Sequence, residues 1–125
     1  MAEVSNKRLG IEFEKEFVKM LARQGFWAHF LEPNKSGAQP FDVIAVKDGK
    51  AWAFDCKTSV KKLFSISRLE VNQMYAFNKL AYCGCKNTYA AVLHNNEVYL
   101  VSYEELCKHG SVELNENHLF QQIIH

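Results

Sequence analysis

A chain of 125 residues that is 48% hydrophobic and 13% aromatic is long and apolar enough to bury a core without disulfides or a structural metal, which excludes disorder. The formal net charge of +1 says little, but its distribution says more: residues 1–86 carry 14 Lys and Arg against 9 Asp and Glu, and residues 87–125 carry 1 against 5. A net +5 followed by a net −4 suits a polyanion gripped by one end of the molecule, although ordinary surfaces show such asymmetry too.

In chain order, Ser5 or Asn6 starts a helix that runs to about Gln24 and stops at Gly25. Leu9, Phe13, Phe17, Met20 and Leu21 form its apolar stripe, and Glu14 sits beside that stripe, one turn on from Gly10. Residues 26–31 read as a first strand, and residues 33–40 as a polar loop. Residues 41–46 and 51–57 then read as paired strands, because Asp-Gly within Lys47-Asp48-Gly49-Lys50 is the strongest short-range hairpin signal. Alternation in the second strand puts Ala51, Ala53, Asp55 and Lys57 on one face. Trp52, Phe54 and Cys56 take the other, which is expected to be the buried one.

Lys61-Lys62 leads into a second long helix over about residues 67–82, ended near Gly84. Residues 87–93 and 98–101 form a second hairpin around the polar turn His94-Asn95-Asn96-Glu97, and Ser102, with Glu105 three residues on, caps a short helix. The tail is ambiguous: Leu119-Phe120 and Ile123-Ile124 are either an interface or part of the core. The order α-β-β-β-α-β-β-α predicts a mixed α/β fold, a central sheet flanked by helices, in a single domain over residues 1–125. The apolar runs are far short of a membrane span and no charged-then-apolar leader opens the chain, so the expectation is a soluble, cytoplasmic protein in a bacterial, archaeal or phage-infected cell. Cys56, Cys83, Cys85 and Cys107 show no zinc spacing and read as small residues in a reducing compartment; the five histidines mark no ligand or base.

The first hairpin has a chemical consequence, since folding it brings Asp42 alongside Asp55-Cys56-Lys57. With Glu14 upstream, three carboxylates and a lysine suit a magnesium-dependent phosphodiester hydrolase. The carboxylates hold a hard, oxygen-loving cation and the lysine lies beside the attacking water. Each residue also has a plain reading. Asp42 at a strand start suits solvent, Lys57 at a strand end suits solvent, and Glu12 and Glu16 compete with Glu14. Thr58 and Ser59 are candidate phosphate donors, and Lys35, Lys61, Lys62 and Arg68 are candidate contacts to a DNA backbone, which position DNA without reading sequence.

The run Gly10-x-x-x-Glu14-Lys15-Glu16-Phe17, then Gly25-Phe26, Phe41-Asp42-Val43-Ile44-Ala45 and Phe54-Asp55-Cys56-Lys57-Thr58, resembles the PD-(D/E)XK nuclease superfamily, and within it the small archaeal Holliday junction resolvases. The second half is more similar to the RecU-type resolvases of bacteria and phages, with Phe64-Ser65-Ile66 before a helix carrying Gln73, then a hairpin and Val98-Tyr99-Leu100. The likeness covers about residues 6–106. Asp55 stands where resolvases usually carry Glu, and the long RecU insertion has no counterpart. The resemblance implies a restriction-endonuclease-like core with Glu14, Asp42, Asp55, Lys57 and Gln73 at the catalytic site. It implies Mg²⁺, with Mn²⁺ substituting, on Asp42, Asp55, Glu14 and the backbone carbonyl of Cys56, and no organic cofactor. It also implies a homodimer acting on branched or junction DNA in recombination and repair, leaving 5′-phosphate and 3′-hydroxyl ends. Three rivals stay open: a repair or restriction-type nuclease on duplex or flap DNA, a catalytically inactive DNA-binding module, and a small interaction domain unrelated to nucleic acid.

Overall fold

A computed structural model describes the backbone over residues 6–32 and 39–125, with side chains from Gly10 onward. Ser5, the Leu9 side chain and Lys35 lie outside the described residues.

Helix α1 (Asn6–Arg23) buries Phe13, Phe17 and Leu21, three residues of the expected stripe, and Gly25 at φ +90° lets the chain turn back, as the sequence predicts. Strands β1 (Trp27–Phe30), β2 (Val43–Lys47) and β3 (Lys50–Thr58) follow as an antiparallel meander. The β2–β3 turn has Asp48 at φ +52° and Gly49 at φ +76°, the pair of left-handed residues whose twist matches a two-residue hairpin. Next come β4 (Leu63–Ser65), α2 (Val71–Tyr82), β5 (Thr88–His94), β6 (Glu97–Ser102), α3 (Tyr103–His109), β7 (Ser111–Glu113) and α4 (Phe120–Ile123). Asn95 and Asn96, at φ +49° and +62°, close the second hairpin, and the Ser102 hydroxyl caps α3 by accepting the Glu105 N–H at 3.1 Å.

The five-stranded sheet runs β1-β2-β3-β5-β6; β3 and β5 are parallel and the other neighbours antiparallel. This is the expected mixed sheet flanked by helices. On one face α1 packs Phe17 against Phe54 of β3, edge to face at 4.9 Å between ring centres, and against Phe120 at 5.9 Å. On the other face Ala53, Ala90, Val92 and Val101 meet Phe77 of α2 and Leu106 of α3. Each fully buried phenylalanine contributes about 1.5–3 kcal/mol, so both layers matter to stability.

Three expectations are corrected, and one left open is decided. The Ala53–Asp55 face of β3 is as buried as the Phe54 face, because α2 crosses it. The second long helix starts at Val71, since a separate 3₁₀ turn over Ile66–Arg68, capped by Ser65, ends in extended backbone at Leu69. β4 and β7 pair with each other as a separate two-stranded ribbon that short runs do not announce. The tail, open between interface and core, joins the core: Phe120 and Ile124 are buried against the α1 side of the sheet. Among the described residues no helix is long and apolar enough to cross a membrane.

Candidate active site

Asp42 stands where the chain enters β2. Its N–H still joins the ladder, donating to Phe54 O at 3.0 Å, while its side chain takes over where the ladder ends: Oδ2 accepts the Cys56 N–H at 2.7 Å. Oδ1 accepts from Gln39 Nε2 at 2.8 Å. In a strand a residue's N–H and C=O leave on the same side, so the Cys56 carbonyl is turned toward the Asp42 side of β3 as well. The hairpin thus brings Asp42 beside Asp55-Cys56-Lys57, as the Asp-Gly turn predicts.

Asp55 is 0% exposed, an unusual place for a carboxylate. Its Oδ1 accepts from Gln73 Nε2 at 2.7 Å. Its Oδ2 lies 3.2 Å from Lys57 Nζ, and no well-formed hydrogen bond reaches that buried oxygen among the described residues. Lys57 follows two residues later on the same face, so alternation alone puts its ammonium beside Asp55.

Glu14 reaches the same place from α1 on the opposite face of the sheet. A polar cleft of about 390 Å³ is lined by Glu14, Gln39, Asp42, Cys56 and Lys57, and by Glu70, Asn72 and Gln73 at the start of α2. Glu12 and Glu16 line a different groove, toward β6 and α4. The charge in the cleft is unbalanced. Burial, then the nearby Asp42 charge, pushes Glu14 from its usual 4.5 up to about 7. Burial and Asp42 together push Asp55 from 3.8 up to about 9, with Lys57 opposing. Burial holds the Cys56 thiol protonated, well above its usual range, and its side chain packs against the α1-side core.

The cleft therefore offers several hard oxygen donors, one of them the buried Asp55 Oδ2, and less positive charge than its carboxylates call for. That donor set fits Mg²⁺ or Mn²⁺ and not a thiol-seeking metal. Among the described residues no three Asp, Glu, His or Cys side chains enclose a common ion position. Magnesium does not need three, since it takes one or two carboxylates and keeps several waters.

The family model described as archaeal Holliday junction resolvase (Hjc) matches residues 5–119. The chain belongs to the archaeal Holliday junction resolvase family. The crossover junction endodeoxyribonuclease Hjc of Methanocaldococcus jannaschii is 30% identical over 95 residues, which is 76% of this chain and 66% of that relative, just under two thirds of its length. The solved structure of Archaeoglobus fulgidus Hjc, a Holliday junction resolvase from an archaeal hyperthermophile, superposes with a TM-score of 0.60 over 76% of this chain and 78% of its own, at 18% identity. That likeness bears on the fold.

The remaining predicted residues are scattered around this cleft. Thr58 and Arg68 border a neighbouring groove. Arg68 Nη2 donates to Thr58 O at 2.8 Å and its guanidinium lies 5.6 Å from the centre of the Phe64 ring, so part of its capacity serves the fold. Ser59 Oγ donates to Lys61 O at 2.7 Å. Lys61 and Lys62 are exposed, and Lys62 pairs with Glu113 at 3.6 Å. Sequence reading missed Gln39, Glu70 and Asn72. Asn72 Nδ2 donates to Gln39 O at 2.6 Å, tying α2 to the segment that carries Asp42. Gln39 stands three residues before Asp42, but no pattern marks it; Glu70 and Asn72 are hidden by the late start of α2.

Proposed function

We propose that this chain is a divalent-cation-dependent endodeoxyribonuclease that resolves Holliday junctions. What carries the reading is the convergence of Glu14 from one helix with Asp42, Asp55 and Lys57 from a hairpin at one cleft, in a chain of the Hjc family.

Asp42, Asp55 and the Cys56 carbonyl would hold Mg²⁺, with Glu14 facing it from α1 and Mn²⁺ able to substitute. When bound, the cation supplies Lewis acidity at the scissile phosphate and makes water a better nucleophile at neutral pH. Lys57 orients the attacking water and offsets the negative charge that grows on the phosphate. Gln73 keeps Asp55 turned toward the cleft, and Gln39 does the same for Asp42. Water attacks phosphorus, the 3′-oxygen leaves with a proton, and the ends are a 5′-phosphate and a 3′-hydroxyl. No organic cofactor is needed for this chemistry.

Cutting two strands of a junction symmetrically takes two such clefts, hence a homodimer. The tail is core, so it does not serve for pairing. Val71, Tyr75 and Tyr82 on α2 are 79%, 64% and 89% exposed and share one helical face, which suits a second copy. Lys61, Lys62, Thr58 and Arg68 follow the DNA backbone beside the cleft, and Lys35 is assigned the same task.

Cleavage of four-way junction, flap, nicked and linear DNA with Mg²⁺ tests the proposal. Paired nicks across the junction are expected. Preference for linear duplex or flap removes the resolvase assignment, and salt-sensitive binding with no cutting leaves a DNA-binding module.

A further inference from the structure

Past Lys57 the chain leaves β3 through Ser59-Val60-Lys61-Lys62, three residues and at most about 11 Å of chain from the lysine to Val60. Val60 is 96% exposed, the highest value among the described large apolar side chains. An isolated surface valine is ordinary, but this one is held out on a pinned loop. The Ser59 N–H donates to Leu93 O at 2.9 Å, and Ser59 O lies 3.0 Å from His94 Nδ1, which must carry the proton to a carbonyl. Ser59 Oγ spans the tip to Lys61 O, and at the far side Lys62 O accepts the Leu114 N–H at 2.9 Å. Both ends of the loop are thus fixed to β5 and to the segment after β7, and the tip has little freedom to fold its valine away.

Beside the tip lies a groove of about 750 Å³, bordered by Val60, Thr58, Arg68, Leu93, Asn95 and Asn96. Among the described residues no carboxylate lines it, which suits a polyanion. Leu93 and Val60 give it apolar wall, and the two asparagines of the tight β5–β6 turn offer amides that can both donate and accept. This is the chemistry of a nucleobase site, an apolar contact for a base face with amides for its edge.

We propose that the loop of residues 59–62 reads the branch point of the DNA: Val60 packs on the face of a base pair that loses its stacking partner at the branch. Asn95 and Asn96 meet base edges in the adjoining groove, and Lys61 and Lys62 meet the flanking phosphates. In a continuous duplex every base pair is stacked on both sides, so the apolar tip gains nothing. At a branch an apolar side chain replaces the missing neighbour, as wedges do in proteins that hold kinked DNA. The inference rests on the proposed action on branched DNA and adds the residue that distinguishes a branch from a duplex.

The test measures affinity for a four-way junction and for linear duplex of the same sequence, with wild type, Val60→Ser and Val60→Ile, and with 2-aminopurine placed at the branch. Val60→Ser is expected to lose about tenfold in junction affinity, as loss of one buried valine contact does, and to keep its duplex affinity. Val60→Ile keeps both, and the fluorescence change that wild type induces at the branch disappears with Val60→Ser alone. Unchanged junction affinity and fluorescence with Val60→Ser, or equal losses on junction and duplex, overturn the inference while leaving the nuclease assignment intact. Wild type with no preference for the junction overturns both. The exposure of Val60 means that neither substitution disturbs the core, and an unchanged melting temperature checks this.

Discussion

The side-chain amide of Gln73 joins two tasks: Nε2 donates to Asp55 Oδ1 at 2.7 Å while Oε1 accepts the Glu70 N–H at 2.8 Å. The Glu70 N–H sets its orientation: that group can only donate, so it takes Oε1 and leaves Nε2 for Asp55. The first turn of α2 and the buried carboxylate of β3 are therefore fixed relative to one another by one residue.

Gln73→Met keeps the bulk of the side chain and removes both hydrogen bonds. Cleavage is expected to fall about 10- to 100-fold, the usual effect of removing an outer partner of a metal-holding carboxylate, with half-saturation shifted to higher Mg²⁺. Stability falls by about 1–3 kcal/mol, mainly because the buried Asp55 carboxyl loses its partner. Cleavage measured across a Mg²⁺ series checks this, and an unchanged cation dependence contradicts it.

The metal-free protein should lose stability as pH rises. Asp55 and Glu14 have folded-state pKa values of about 9 and about 7, above their ordinary 3.8 and 4.5. Raised values mean that the fold favours the protonated forms. That contribution is full below about pH 4, declines through the folded Glu14 value near 7, and is gone above the folded Asp55 value near 9. Added Mg²⁺ or Mn²⁺ favours the ionised forms and should raise the melting temperature more at pH 8 than at pH 5. Melting curves over pH 5–9 with and without the cation decide it; a cation effect independent of pH would be wrong for this site.

Lys61 is exposed on the pinned loop and contributes nothing to the core. Lys61→Ala is expected to weaken binding evenly across DNA sequences and to reduce the slope of log affinity against log salt by about one unit. An unchanged slope removes this phosphate contact.

Tyr75 is exposed on the face of α2 assigned to pairing. Tyr75→Lys puts a charge where an apolar contact is proposed, so sedimentation velocity should show monomers, and paired nicking should give way to single nicks. A dimer that survives the substitution places the interface elsewhere.

The sequence makes the local half of this architecture legible. Asp48-Gly49 and Asn95-Asn96 announce two-residue turns, and the first turn alone predicts that Asp42 returns beside Asp55. Alternation places Lys57 on the Asp55 side. What alternation cannot convey is which faces a distant helix covers, and here α2 covers the Asp55 face while α1 covers the other. The burial of Asp55 and the role of Gln73 as its partner follow from that crossing. The link from Asn72 to Gln39 joins residues 33 apart, and β4 pairs with β7 across some 50 residues, so neither leaves a local trace.

The central claim is that Asp42 and Asp55 share a divalent cation. A manganese-soaked crystal tests it most directly, read by anomalous density in wild type and in Asp55→Asn. Density beside both carboxylates is expected in wild type and none in the variant, which should still bind junction DNA without cutting it. A cleft that stays empty of manganese in wild type, or density that survives unchanged in Asp55→Asn, would contradict the account.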